Sequence, residues 1–250
     1  MAMSPCDAQS HTQYVADETM KDQSTAMPAA GEPFTRCSMA TLEYRFLALW
    51  QRSGLLERAA SPETAWRALC AGYGAIDRHY HGADHLAFCL AEFDLARALA
   101  DEPDAVEMAI WFHDSILVPE ASDNEPRSSV LFEQLANGHF DAAFVAGVSS
   151  LILATTHRRH DTRPDEQLVC DIDLASLGCD WPRFLADCQA LRAESLATAE
   201  AYSAAKLRFL GALLARPRIF NTDHFHARYE ASARDNIGRL SAMLRAGEFP

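Results

Sequence analysis

Histidine and aspartate are clustered along this chain in a way that could hold a metal ion. His79, His81 and His85 fall together, His113 and Asp114 are adjacent, His157 and His160 follow, and Asp171 and Asp173 stand two apart. Imidazole nitrogen and carboxylate oxygen in combination suit a divalent ion such as Mn, Fe, Co, Zn or Mg. His113 and Asp114 close the apolar stretch "VEMAIWFHD", where an ionised carboxylate is costly unless something pairs with it. A divalent cation is an economical partner. With histidine and aspartate ligands it keeps positions for water, lowers the pKa of that water and shields a phosphoryl oxygen as charge builds. A further histidine close to the ion but not bound to it can protonate a leaving oxygen.

The elements that must position these residues read as helices. Leu42, Phe46, Leu49 and Trp50 recur at helical spacing. Ser61 and Pro62 read as an N-cap and first helical residue, with that apolar stretch ending near Gly72 and Gly74. A helix is expected from about Ala83, carrying Leu86, Leu90 and Phe93. His81 and His85 share its face if it reaches back that far. Pro103 opens the helix that ends in His113. Asp123 is the expected cap of another, ending near Gly138, and Phe140 to Thr156 forms the next. "LVCDIDLASLG" could pass for a strand, but with no other strand in the chain a short helix is expected. Two helices are expected over about 181–215, ending before Pro217, and a last one over about 222–246. The expectation is an all-α fold. Residues 1–38, polar and poor in bulky apolar side chains, read as a loosely packed or disordered tail, and 39–250 as one helical domain.

Composition narrows the partners. The formal net charge is -13, and lysines and arginines are scattered rather than clustered. Duplex nucleic acid and anionic membrane surfaces are therefore not expected partners. A small anionic molecule is not excluded, because a metal ion reverses the local field. The seven cysteines are odd in number and form no CxxC, as expected of reduced thiols on helix faces. With no basic-then-apolar leader and no long apolar run, a cytoplasmic location is the expectation.

His85, the His113-Asp114 pair and Asp173 together resemble the H…HD…D signature of the HD superfamily of metal-dependent phosphohydrolases. The blocks "YHGADHLAFCL", "AIWFHDSILVP", "DNEPRSS", "LILATTH", "DIDLASLG" and "ARPRIFNTDHFHARYEASARDN" resemble, in this order, a bacterial family of predicted HD phosphohydrolases. They cover about residues 79 to 240. The resemblance implies an HD-type helical bundle and a metal set of His85, His113, Asp114 and Asp173, with Asp173 preferred over Asp171. It implies that His81 and Asp114 are catalytic, His81 as general acid or, equally, as a residue behind the ligands. Glu125, His157 and Asp171 are implied as ligands of a second ion or as supports, with Ser128 in the same block as Glu125. Gly82 replaces the family's usual asparagine, so any contact of that side chain is lost. Arg158 and Arg159 are cations able to meet an anionic substrate.

The expected activity is hydrolysis of a small phosphorylated metabolite or nucleotide. The alternatives are a di-iron oxygenase on the same scaffold and a non-catalytic nucleotide-binding module. His139 is expected to be structural, His160, His224 and His226 solvated, and Trp111 and Phe112 core. Glu230, Arg234 and Asn236 match the terminal block, but a helix-packing ion pair would explain them equally well.

Overall fold

The computed structural model describes residues 39–55, 62–158 and 163–248. The expected tail over 1–38, the Ser61 cap, Arg159 and His160 lie outside these residues. The described residues form α1 (Met39–Ser53), α2 (Pro62–Tyr73), α3 (Ala83–Ala96), α4 (Pro103–Phe112), α5 (Asn124–Ala136), α6 (Ala142–Ala154), α7 (Pro164–Leu174), α8 (Trp181–Glu194), α9 (Ala199–Leu214) and α10 (Asp223–Ala246), with short 3-10 turns at 97–99 and 175–178. No strand occurs among them, so the fold is all-α. The "VCDI" run lies inside α7, where Val169, Cys170, Asp171 and Ile172 are all buried. A continuous apolar run of this length fits a buried helix as well as a strand. No helix among the described residues is long and apolar enough to cross a membrane.

The core is organised around α4. Every residue from Ala105 to Phe112 is buried, so this helix has no solvent face. It packs against α1, α3, α5, α6 and α7. Phe46 of α1 and Trp66 of α2 stack edge-on against Trp111, and Phe112 meets Phe132 of α5. Trp111 and Phe112 are core, as expected. One acidic residue, Glu107, is buried in α4 and is satisfied by three guanidinium groups. Arg45 Nε and Arg97 Nη1 approach it at 2.7 Å, and Arg52 Nη2 at 3.0 Å. Arg52 and Arg97 also share Asp104, one turn earlier. Pairing of this kind is what allows a carboxylate into a core.

The turn at 175–178 after α7 packs closely against α10. Asn236 of α10 donates to the carbonyls of Leu177 and Cys179. Glu230 accepts from the backbone of Ile219 and Phe220 and from Arg234 Nε. Arg234 also caps the end of α9 by donating to the carbonyls of Leu214 and Arg216. Glu230 and Arg234 therefore close the loop between α9 and α10 and Asn236 holds the turn after α7, which accounts for their motif without chemistry. Asp123 takes the N-cap position of α5 but makes no capping bond, pairing with Arg127 at 2.9 Å instead. His139 sits between α5 and α6 beside the Trp50 ring, and its carbonyl accepts from Leu55 N. His226 is partly exposed and faces Glu230 at 3.3 Å, whereas His224 buries Nε2 with no hydrogen-bond partner among the described residues.

Gly178 lets the turn and α10 approach, because a Cβ there would lie 2.5 Å from Tyr229 Cβ. Gly178→Ala is expected to cost about 1–3 kcal/mol in urea denaturation. Gly211→Ala, inside α9 with nothing near its Cβ position, is expected to gain up to about 1 kcal/mol. Asp104 has a lowered pKa: burial pushes it up, but Arg52 and Arg97 outweigh that. Its contribution to stability is present above the unfolded-state value and is lost as pH falls below about 4. Asp104→Asn should flatten that acid limb, read as melting temperature against pH.

Candidate metal centre

Four side chains from three helices meet under the end of α4. His85 comes from the first turn of α3, His113 and Asp114 directly follow α4, and Asp173 lies near the end of α7. His85 Nε2 lies 3.3 Å from His113 Nε2, 3.3 Å from Asp173 Oδ1 and 3.5 Å from Asp114 Oδ2. His113 Nε2 is 3.0 Å from Asp114 Oδ2 and 3.5 Å from Asp173 Oδ1. Ligands around a cation with bonds of about 2.0–2.2 Å stand roughly 3.0–3.5 Å from one another. The donor atoms thus already have the mutual spacing of a coordination shell.

Hydrogen bonds fix which atoms face inward. His113 Nδ1 lies 2.8 Å from the Ile110 carbonyl, an acceptor only, so Nδ1 carries the proton and Nε2 points to the cluster. Burial opposes charge on His113, but Asp114 and Asp173 outweigh it and hold its pKa well up. Burial likewise opposes ionisation of both carboxyls, and the surrounding histidines hold them well below the usual range. A histidine proton compensating two carboxylates is the charge pattern of a site that exchanges a proton for a cation. Donor types, spacing and charge all fit a divalent ion.

Cys89 was missed as a fifth donor. Its thiol lies 3.6 Å from His85 Nε2, and with His85, His113 and Asp173 it offers donors all within 4.8 Å of one another. The signal was present in the sequence, since Cys89 is one turn after His85 on α3.

Asp171 is not part of this cluster, contrary to the expectation that it binds an ion or supports its ligands. Two residues apart on a helix point to nearly opposite sides, and Asp171 faces α10. It accepts from the backbone and side chains of Asn221 and Thr222 at 2.7–3.0 Å. It anchors the start of α10.

His81 precedes α3, which begins at Ala83, so it does not share a helix face with His85. A turn brings it to the cluster instead. Its Nδ1 lies 2.6 Å from Glu194 Oε2 of α8, while Glu194 Oε1 accepts from the backbone of Tyr80 and His81. Burial would lower the His81 pKa, but Asp114 and Glu194 raise it. Arg78 donates to the carbonyls of His81, Asp114 and Ser115, tying the general-acid candidate to a metal-ligand candidate. Neither Glu194 nor Arg78 has a signal in the sequence.

His157 Nε2 is 2.7 Å from Asp173 Oδ2, so it braces that carboxylate from outside. It does so from a left-handed backbone, φ 53°, a conformation that favours glycine. Strain of about 1–2 kcal/mol kept at such a place is typical of functional sites. The "DNEPRSS" block fastens the loop after Asp114. Ser128 Oγ accepts from Ile116 N, and Asn124 exchanges two bonds with Val118. Glu125 faces the cavity, its pKa raised first by burial and then by Asp114 and Asp173.

The cluster borders a cavity of about 200 Å³, whose lining includes His81, Asp114, Glu125, His157 and Asp173. Leu177, Phe184, Leu191 and Phe209 form its apolar wall. Arg158, expected at the substrate, is exposed, donates to the Ser122 carbonyl and is not among the lining residues. It acts on the site only through its charge, which eases ionisation of Glu125.

Fold and site together define an all-helical protein with a buried candidate metal centre beside a cavity. No protein-family model, curated protein or solved structure matches the chain.

Asp173→Asn and His113→Ala are each expected to lose bound metal by elemental analysis. Asp171→Ala should keep its metal yet lose about 2 kcal/mol or more, since it strands buried donors. His157→Gly relieves the left-handed backbone. Its melting temperature should hold or rise while metal affinity falls about 10-fold or more.

Proposed function

We propose that the chain is a metal-dependent phosphohydrolase of the HD superfamily, acting on a small phosphorylated metabolite or nucleotide. The observation that carries this reading is the convergence of His85, His113, Asp114 and Asp173 beside a cavity whose rim holds a histidine oriented by a carboxylate. A bound divalent ion would supply an acidified water and positive charge against a phosphoryl oxygen.

The protein's own residues do the rest. His85, His113, Asp114 and Asp173 would hold the ion, and Ile110 fixes the His113 tautomer. His157 steadies Asp173. Glu194 accepts a hydrogen bond from Nδ1–H of His81, leaving Nε2 without a protein partner among the described residues. In hydrolysis the water oxygen bonds to phosphorus as the phosphorus–oxygen bond to the leaving group breaks. His81 donates its Nε2 proton to the departing oxygen and is reprotonated with the proton the attacking water gives up. Asp114 and Glu194 raise the His81 pKa against the effect of burial, which favours the protonated form an acid needs. His157 is held by Asp173 rather than aimed as a separate ligand, which favours hydrolysis over the di-iron oxygenase alternative.

A panel of phosphoesters with protein loaded with Mn, Co or Fe tests this reading; folded, metal-bound protein with no turnover of any of them would refute it. His81→Gln should lower kcat about 10²–10⁴-fold for alkyl leaving groups and far less for p-nitrophenolate, which leaves without a proton. Activity should decline on the alkaline side, as His81 loses its proton. Glu194→Gln removes one of the charges raising His81 and should move that limb to lower pH.

A further inference from the structure

The cavity beside the metal cluster contains a cation that the hydrolytic chemistry does not use. Asp114, Glu125, Asp173 and Asp187 line it, and Lys206 is the one lysine or arginine among its lining residues. Lys206 extends from α9, and Cys188, Leu191 and Phe209 line the same cavity. Its amine lies 5.9 Å from the centre of the Phe209 ring. It has no hydrogen bond or ion pair among the described residues. The Cys188 thiol, pushed up to about 11 by burial, is neutral and supplies no counter-charge. Several other partly buried cations of this chain are paired with carboxylates, Arg45 with Glu107, Arg183 with Asp187 and Arg234 with Glu230, and Arg78 and Arg216 donate to backbone carbonyls instead. An ammonium without an anion in an apolar setting is costly, and burial accordingly lowers the Lys206 pKa. Placed in a cavity, it is a group that a ligand's anion would complete.

We propose that Lys206 binds a second anionic group of the substrate, so that the substrate is a small phosphoester whose short apolar body ends in a carboxylate or a phosphate. Its reacting phosphoryl group lies at the histidine–aspartate end, the apolar body against Leu177, Phe184 and Leu191, and the far anion at Lys206. A cavity of about 200 Å³ suits a body of a few carbon atoms. This inference rests on the hydrolase reading for the orientation of the substrate, but its test does not require turnover.

The test is titration calorimetry on the full chain with Mn²⁺ present. The probes are alkyl phosphates of increasing length, the ω-carboxyalkyl phosphates of equal length, and the corresponding α,ω-bisphosphates. One length bearing a terminal anion should bind about 10-fold or more tightly than its methyl-ended counterpart. Whether the carboxylate or the phosphate series gains identifies which anion is read. Lys206→Met should erase the gain, and Lys206→Arg should keep part of it. With no ligand, Lys206→Met should also raise the urea midpoint, because it removes an uncompensated charge. A gain that persists in Lys206→Met, no gain at any length, or a midpoint that falls would overturn the proposal. An affinity gain with no turnover would instead sink the hydrolase reading and leave the Lys206 assignment standing.

Discussion

Asp114 and Asp173 are two carboxylates placed where burial alone would keep them protonated, and both are held ionised by the histidines around them. Two like charges in one small interior volume repel, so positive charge must sit between or beside them. His113 meets that need through a proton, which its neighbours make hard to remove. A divalent cation meets it more fully, because one ion can neutralise both carboxylates and take the lone pairs of both imidazoles. The chain places α3, α4 and α7 so that their ends bring these groups together, and the buried α4 fixes the geometry.

Around this centre the supports act by holding backbone and tautomer. Arg78 joins the carbonyls of His81, Asp114 and Ser115, so the turn before α3 and the turn after α4 cannot move independently. Ile110 selects the His113 tautomer, and Glu194 does the same for His81. His157 accepts a strained backbone to reach Asp173. Sites tolerate little error in ligand position, and a rigid outer layer of this sort is how proteins achieve it. Further out, Glu230, Arg234 and Asn236 spend their polarity on the loop and turn packed against α10, and Asp171 fastens the start of that helix.

The helical order was legible in the sequence because proline, threonine and aspartate at helix starts and apolar periodicity between them are local signals. Pro103 and Thr222 begin helices where they were expected to. The start of α3 was less clear, since only the tertiary setting decides whether the chain at His81 is helix or turn. The choice of Asp173 over Asp171 came from resemblance, and helix geometry now supplies its cause: the two face opposite sides of α7. Glu194 and Lys206 carried no signal. Each is a common residue type far along the chain from the histidines, brought to the site only by how α8 and α9 pack. Arg158 shows the converse, a cation close in sequence to His157 whose exposed side chain bonds a loop carbonyl instead.

Net charge and local charge must be kept apart in this molecule. At -13 the whole chain repels anions, and the cavity itself is lined by four acidic residues. Long-range repulsion is screened within about 8–10 Å in physiological salt, so it slows approach without deciding what binds. Inside the cavity the balance depends on the ion, His81 and Lys206. With a divalent cation in place, the two aspartates beneath it are neutralised and the cavity becomes attractive to an anion at that end. Lys206 adds a second positive group to the same cavity, whose lining also includes the apolar Leu177, Phe184 and Leu191. An acidic protein can therefore take an anionic molecule, provided the charges of that molecule fall at both ends of a short apolar span.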